Sequence, residues 1–126
     1  MIDVACAIII NEGKILATRR GQNMSLPFKW EFPGGKIEKF ETEEECLRRE
    51  LKEELNIEIR VNRKMSPKVF HYESFTINLI PLIAEYVSGD IVLLEHNKYL
   101  WLFPDQLKGL DWAPADILVL NDFLEI

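Results

Sequence analysis

The segment that decides the fold runs from Gly35 to Ile57 and reads GKIEKFETEEECLRRELKEELNI. Leu47, Leu51 and Leu55 recur at every fourth position within it. Because an α-helix has 3.6 residues per turn, this spacing gathers the three leucines on one face. The segment therefore predicts a helix from about Glu43 to Leu55 that buries its leucine face against the rest of the protein.

Both ends of this helix carry local signals. Thr42 is a suitable N-cap, and Glu45 stands three residues later, which is the pattern of a capping box. Asn56 follows the last leucine and tolerates the left-handed backbone conformation that ends many helices. The sequence thus predicts where the helix begins and where it ends.

The same helix carries a dense cluster of carboxylates beside its leucine face. Three of them fall within an arc of about 100°, at positions Glu50, Glu53 and Glu54. Like charges at this spacing repel each other, so the cluster favours a bound cation. Oxygen ligands without His or Cys suit Mg²⁺, or Mn²⁺. The alternative interpretation is a solvated charged face, which is common in segments rich in Glu and Lys.

The composition narrows the class of protein. The chain has 126 residues, of which 48% are hydrophobic and 29% are charged, so we expect one soluble globular domain spanning 1–126. No apolar run reaches the roughly 18–20 residues of a membrane helix, and the Met1-Ile2-Asp3 start lacks the basic region of a secretory signal. A net charge of −6 argues against binding to nucleic acid polymers. Cys6 and Cys46 form no Cys-x-x-Cys pair, so we expect a reduced, cytoplasmic compartment.

The remaining segments predict a mixed α/β (α+β) domain with helices packed on a sheet. Residues 2–10 are mostly apolar, and residues 14–20 contain the apolar run Ile15-Leu16-Ala17. These two stretches flank the turn Asn11-Glu12-Gly13, which predicts a β-hairpin. Residues 21–36 hold three glycines and two prolines and predict a loop, with a short strand at Trp30–Phe32. Further strands are predicted at 57–61, 68–72, 75–87 and 99–103, and helices at 104–107 and after Pro114.

Taken together, the spacing in the acidic segment resembles the Nudix box. Gly35, five residues, Glu41, seven residues and then Arg49-Glu50-Leu51-Lys52-Glu53-Glu54-Leu55-Asn56-Ile57 match its fixed positions, except that Asn56 stands where the box has Gly. The stretches at 18–20 and 30–38 resemble the MutT-type branch of this family. Glu95-His96 ahead of Trp101, and the run at 113–117, resemble the CTP pyrophosphohydrolases of that branch.

The resemblance implies a Nudix fold, in which a mixed sheet lies between helices and the box forms a loop–helix–loop motif. It also implies a metal site whose ligands are Glu50, Glu53, Glu54 and the carbonyl of Gly35. Glu41 and Arg49 would form a buried ion pair that holds the loop on the helix. Glu95, on an opposing loop, would be a further ligand or a base.

The reaction that the resemblance implies is hydrolysis of a nucleoside diphosphate linked to another group. In the MutT branch that group is phosphate, so a nucleoside triphosphate gives a monophosphate and pyrophosphate, which cleanses the nucleotide pool. Arg20 and Lys36 are cations in the flanking loops and suit phosphate oxygens.

The residues that would recognise the base lie outside the box. An ionised Asp116 would accept from the amine of cytosine, and a protonated Asp116 could read an oxidised purine such as that of 8-oxo-dGTP. The alternative role for Asp116 is that of a helix-capping acid. Val4, Tyr72 and Phe70 are candidates for the apolar walls around the base.

Two other functions remain open at this level. A different Nudix substrate, such as a nucleotide sugar or a dinucleotide, fits less well because the short chain leaves little room for extra recognition elements. A non-catalytic nucleotide-binding module fits less well because all of the acidic residues of the box are present. We expect a monomer, with a dimer as the alternative.

Overall fold

The computed structural model describes all 126 residues as eight strands, two α-helices and one 3₁₀ turn at Pro104–Gly109. The strands are β1 (Ile2–Asn11), β2 (Lys14–Arg19), β3 (Trp30–Glu31), β4 (Gly34–Lys36), β5 (Glu58–Lys64), β6 (Lys68–His71), β7 (Thr76–Ser88) and β8 (Lys98–Leu102). The helices are α1 (Glu43–Leu55) and α2 (Pro114–Leu124).

All eight strands belong to one mixed sheet with β1 near its centre. β1 runs parallel to β7 and antiparallel to β2 and β4. β5 and β6 pair with β7, and β3 and β8 pair with β2, all in antiparallel fashion. The predicted hairpin and the predicted mixed sheet are both confirmed.

The two faces of the sheet carry separate hydrophobic cores. Successive side chains of a strand point to opposite faces, so Cys6 and Ile8 pack into the core that includes Val119 of α2. Ala7 and Ile9 pack instead with the leucines of α1. The helices therefore cover opposite faces, and burial on both sides explains the continuous apolar run of β1.

The boundaries of α1 agree with the prediction. The Thr42 side chain accepts from the Glu45 amide, and the Glu45 carboxylate accepts from the Thr42 amide, which completes the capping box. The helix ends at Asn56 in the left-handed conformation, with φ at 60°. Neither helix is long and apolar enough to cross a membrane.

The prediction of a loop over residues 21–36 is wrong for its last three residues, which form β4. This strand pairs with the beginning of β1, with Gly34 opposite Cys6 and Gly35 opposite Ala5. A Cβ atom at Gly34 would lie 1.9 Å from the carbonyl oxygen of Ala5. The backbones can therefore approach this closely only with glycine, which looks like a loop residue in sequence.

Asn56 provides a test of the helix end. We expect Asn56→Ala to lower the free energy of unfolding by about 1 kcal/mol, because alanine pays a steric penalty in the left-handed conformation. The substitution also removes the hydrogen bond from Asn56 Nδ2 to the Asp90 carbonyl, which is 3.2 Å long. Asn56→Gly is the control and should be less destabilising. Urea unfolding would contradict this account if the alanine variant were as stable as the wild type.

Candidate active site

The acidic side of α1 faces the end of the sheet where β4 lies. The side chain of Glu50 is 14% exposed, whereas that of Glu53 is 61% exposed. Glu54 is half-buried. The exposure of the side chain therefore rises from Glu50, which lies against the sheet, through Glu54 to Glu53, which is largely in solvent.

Arg49 is the cation that offsets this charge. Its Nε and Nη2 atoms donate to the Glu41 carboxylate at 2.7 and 2.9 Å, and its Nη1 donates to Glu50 at 2.8 Å. Nη1 also lies 3.5 Å from a carboxylate oxygen of Glu53, and Nη2 donates to the Lys36 carbonyl at 3.3 Å. One guanidinium therefore joins the helix to the loop before it.

The pair of Glu41 and Arg49 is present but is less buried than expected. The side chain of Glu41 is 12% exposed and that of Arg49 is 24% exposed. Arg49 stays partly exposed because the same guanidinium also contacts Glu53, which is largely in solvent. Hydrogen bonding from Arg49 lowers the pKa of Glu41 from its usual 4.5 to about 2, and the bond to Glu41 raises the pKa of Arg49.

Glu50 packs directly against Gly35. A Cβ atom on Gly35 would lie 2.4 Å from the carboxyl carbon of Glu50, so a larger residue here would displace the Glu50 carboxylate from its present position. The Gly35 carbonyl accepts from the thiol of Cys46 on α1, with an S–O distance of 3.5 Å. Burial raises the pKa of Cys46 to about 12, so this residue is a neutral thiol and not a metal-binding thiolate.

Glu54 is the half-buried carboxyl of the acidic side of α1. Burial raises the pKa of its carboxyl to about 7, and the neighbouring Glu50 carboxylate adds to the rise. A divalent cation between two such carboxylates would favour their charged forms. Carboxylate and carbonyl oxygens from Glu50, Glu54 and Gly35 are the hard ligands that suit Mg²⁺.

In the structure, the side chains of the three predicted glutamate ligands are not arranged around one metal position. No group of three His, Cys, Asp or Glu side chains is arranged to hold a metal ion, because Glu53 turns towards Arg49. Glu95 is exposed in the segment between β7 and β8, and its charge contributes to the raised pKa of Glu54. Glu95 therefore lies beside the acidic side of α1, although its side chain does not line the adjoining cavity.

A cavity of about 500 Å³ extends from this acidic side to the start of α2. Glu54, Gly35 and Lys36 line it near α1. The lining near α2 is mainly apolar and aromatic and is contributed by Val4, Cys6, Tyr72, Phe75, Ile77, Leu79, Ala113 and Ala115, together with Asp116. A charged end and an apolar end thus meet in one cavity, as in sites for ligands with an ionic tail and a flat ring.

Asp116 is the buried polar group of the apolar end. The residue is only 7% exposed, and its Oδ2 atom accepts from the Phe32 amide at 2.9 Å. Burial raises the pKa of Asp116 well above its usual value, and the nearby charge of Glu31 raises it further. Because the carboxyl binds an amide of another segment, Asp116 is more than a cap of its own helix.

The two predicted phosphate-binding cations differ in availability. Lys36 is exposed, lines the cavity and makes no ion pair. Arg20 also lines the cavity, but its Nη1 donates to Glu31 at 2.6 Å and its Nη2 donates to the Ser25 hydroxyl at 2.9 Å. The guanidinium of Arg20 is therefore already hydrogen-bonded to other residues of the chain.

Glu31 is the site residue that sequence reasoning missed. One carboxylate oxygen pairs with Arg20, and the other lies 2.7 Å from Nε2 of His96, which is buried. Since an ionised carboxylate only accepts, His96 donates from Nε2. The only signal in the sequence was an acid inside the apolar stretch around Trp30, and its partners lie 11 and 65 residues away.

The aromatic lining differs from the expected one in one residue. Val4 and Tyr72 line the cavity, but Phe70 does not, because it packs beside Tyr72 with ring centroids 4.6 Å apart. Phe75 lines the cavity instead and stacks on Tyr72 at 5.1 Å. β6 ends at His71, and the turn that follows brings Phe75 back over Tyr72, which strand alternation cannot predict.

The Glu41–Arg49 pair can be tested through the pH dependence of stability. We expect Glu41→Gln to lower the melting temperature at pH 7 and Glu44→Gln, on the exposed side of α1, to change it little. Because the pKa of Glu41 falls from 4.5 to about 2 on folding, its contribution is complete above pH 4.5 and is lost as the pH falls through 2. Calorimetry should show the gap between wild type and Glu41→Gln closing over that range. A gap that is independent of pH would contradict the account.

Comparisons with known proteins agree with this geometry. A family model of the NUDIX domain matches residues 1–123. The solution structure of the Escherichia coli ORF135 protein has a TM-score of 0.87 and 33% sequence identity, and the match covers 99% of this chain and 89% of that one.

Two curated relatives from Escherichia coli (strain K12) match almost the whole chain. A protein named CTP pyrophosphohydrolase is 36% identical over 129 residues, which cover 100% of this chain and 93% of the relative. A protein named 8-oxo-dGTP diphosphatase is 47% identical over 116 residues, which cover 91% of this chain and 90% of the relative. On the family match, the fold and the acidic segment together, this chain belongs to the Nudix family of hydrolases.

Proposed function

We propose that this chain hydrolyses nucleoside triphosphates to monophosphates and pyrophosphate, prefers cytosine nucleotides and cleanses the nucleotide pool. The observation that carries the proposal is the single cavity of about 500 Å³ that joins the acidic side of α1 to an apolar end with one buried carboxyl group, Asp116. The names of the two relatives, which concern CTP and 8-oxo-dGTP, support the same class of substrate.

Nudix hydrolases use divalent metal ions, and we propose Mg²⁺, or Mn²⁺, for this chain. Glu50, Glu54 and the Gly35 carbonyl would hold the ion, with Glu53 and Glu95 as further carboxylates. When bound, the metal offsets the charge of the triphosphate and activates the attacking water. The donor set supports a hard cation because it contains only oxygen atoms.

The residues of the chain then have separate tasks. Lys36 is the free cation in the lining and is proposed to bind phosphate oxygens. Water attacks the α or the β phosphorus, the bridging P–O bond between the α and β phosphates breaks so that the monophosphate and pyrophosphate separate, and the proton of the water passes to a carboxylate among Glu50, Glu53, Glu54 and Glu95. Attack at the α or the β phosphorus gives the same two products. Contact between Arg20 and phosphate stays a prediction, since it requires the bond to Glu31 to open.

A second substrate class is favoured by one specific observation, the raised pKa of Asp116. A protonated carboxyl both donates and accepts, which suits the edge of an oxidised purine such as that of 8-oxo-dGTP. An ionised carboxylate only accepts and suits the amine of cytosine. The protonation state of Asp116 would therefore select between the two bases.

Metal dependence is the first test of the proposal. We expect EDTA to abolish pyrophosphate release from CTP and added Mg²⁺ to restore it. Glu53→Gln should lower kcat by orders of magnitude and leave the melting temperature nearly unchanged, because Glu53 is largely exposed. Glu44→Gln, on the same helix, is the matched control. Full activity in EDTA would exclude the metal site, and a near-normal rate for Glu53→Gln would exclude Glu53 from it.

The base is tested with a panel of CTP, dCTP, UTP, 8-oxo-dGTP and a nucleotide sugar, scored by kcat/KM. Wild type should prefer CTP to UTP, since the O4 of uracil would face the Asp116 carboxylate unpaired. Asp116→Asn should weaken this preference and leave the metal requirement intact. A preference for 8-oxo-dGTP above about tenfold would favour the second class, and turnover of the nucleotide sugar alone would exclude triphosphates.

The same panel has an expected pH dependence. Because the pKa of Asp116 is raised, its carboxyl loses the proton only as the pH increases, so the CTP to 8-oxo-dGTP ratio should rise with pH. Asp116→Asn cannot ionise and should show a ratio that does not respond to pH. If wild type and Asp116→Asn showed the same pH profile, Asp116 would not determine which base is preferred.

A further inference from the structure

The start of α2 is capped by a residue from another element. Ala113 stands at the N-cap and has no side-chain oxygen to offer the first amides of the helix. The Ala115 amide donates instead to the hydroxyl of Tyr72, at 3.0 Å. Tyr72 directly follows β6, so a side chain from the sheet takes the place of a local cap.

This bond lies next to the residue that is proposed to read the base. Asp116 follows Ala115 directly, and both line the cavity. On its other side the start of α2 is held by β3, since the Ala113 amide donates to the Trp30 carbonyl at 2.9 Å. The hydrogen bond to Tyr72 thus joins the helix start to the opposite wall.

The ring of Tyr72 is itself held in place. It packs between Phe70 and Phe75, with ring centroids at 4.6 and 5.1 Å. The hydroxyl position is therefore set by the aromatic cluster on the β6 side and not by the helix it caps. Any movement of the helix start away from this cluster would break the bond.

We propose that Tyr72 is a specificity-determining positioning residue, whose hydroxyl sets the distance between Asp116 and the aromatic wall of the cavity. This inference rests on the proposed nucleotide site and adds to it the reason why Asp116 can discriminate between bases. A polar group selects strongly only when it is held within a fraction of an ångström of its partner. A helix start without a cap frays and loses that restraint.

Tyr72→Phe removes one oxygen atom and leaves the ring in place. We expect the ratio of kcat/KM between the best and the worst base of the wild-type panel to fall by about tenfold or more. The Mg²⁺ requirement should stay, because the acidic side of α1 is untouched. Tyr86→Phe is the matched control, since the Tyr86 hydroxyl contacts Gly89, away from the cavity.

A second variant separates positioning from simple helix capping. In Tyr72→Phe combined with Ala113→Ser, the new serine can cap α2 locally but cannot join it to β6. Tyr72→Phe should lower the melting temperature because the Ala115 amide loses its acceptor. We expect the double variant to recover the melting temperature and not the base ratio. Recovery of both would make Tyr72 a cap only and would overturn the proposal.

Three other results of the base panel would each overturn a different part of the account. An unchanged base ratio in Tyr72→Phe overturns the role of Tyr72 and leaves the proposed function standing. A wild type whose best base is a purine overturns the cytosine preference alone, because the ratio is taken between whichever bases are best and worst. A wild type without any discrimination between bases overturns both.

Discussion

The close packing of two glycines between the central strand and the acidic helix is the constraint on which the site depends. Gly34 leaves room for the Ala5 carbonyl, and Gly35 leaves room for the Glu50 carboxyl. As a result, Glu50 lies against the sheet with Glu54 half-buried beside it, and only Glu53 of the three reaches into solvent. Arg49 offsets the repulsion by donating to Glu41 and Glu50. Packing and electrostatics thus create a place that favours a cation.

The cavity places two carboxyl groups with raised pKa values at different ends. At Glu54 the rise comes from burial and from Glu50, and at Asp116 it comes from burial and from Glu31. Glu54 lies among oxygen donors that suit a cation, so a bound ion would favour its charged form. Asp116 lies among apolar side chains and keeps its tendency to hold a proton. Burial therefore raises the pKa of a carboxyl group at both ends of the cavity.

The walls of the cavity come from loops that are tied together by polar contacts. Arg20 donates to both Ser25 and Glu31. Glu31 also contacts His96, which is next to Glu95 in the sequence. Arg20, Ser25, Glu31 and His96 are therefore parts of one hydrogen-bonded network beside the cavity. This organisation explains why Arg20, which looks like a free cation in the sequence, is occupied within the protein.

Local sequence signals predicted α1, both of its ends and the placement of Glu50, Glu53 and Glu54 on one side of it, because these features depend on contacts within a few residues. The hairpin followed from two apolar runs around a turn, whereas the mixed sheet and the Glu41–Arg49 contact were expected from the resemblance of the acidic segment to the Nudix box. Only the tertiary structure decided that Tyr72 caps α2, that Asp116 binds the Phe32 amide and that Phe75 replaces Phe70. The partners in the first two contacts are 43 and 84 residues apart. Periodicity reports which face of an element is buried, and it carries no information about which distant residue meets that face.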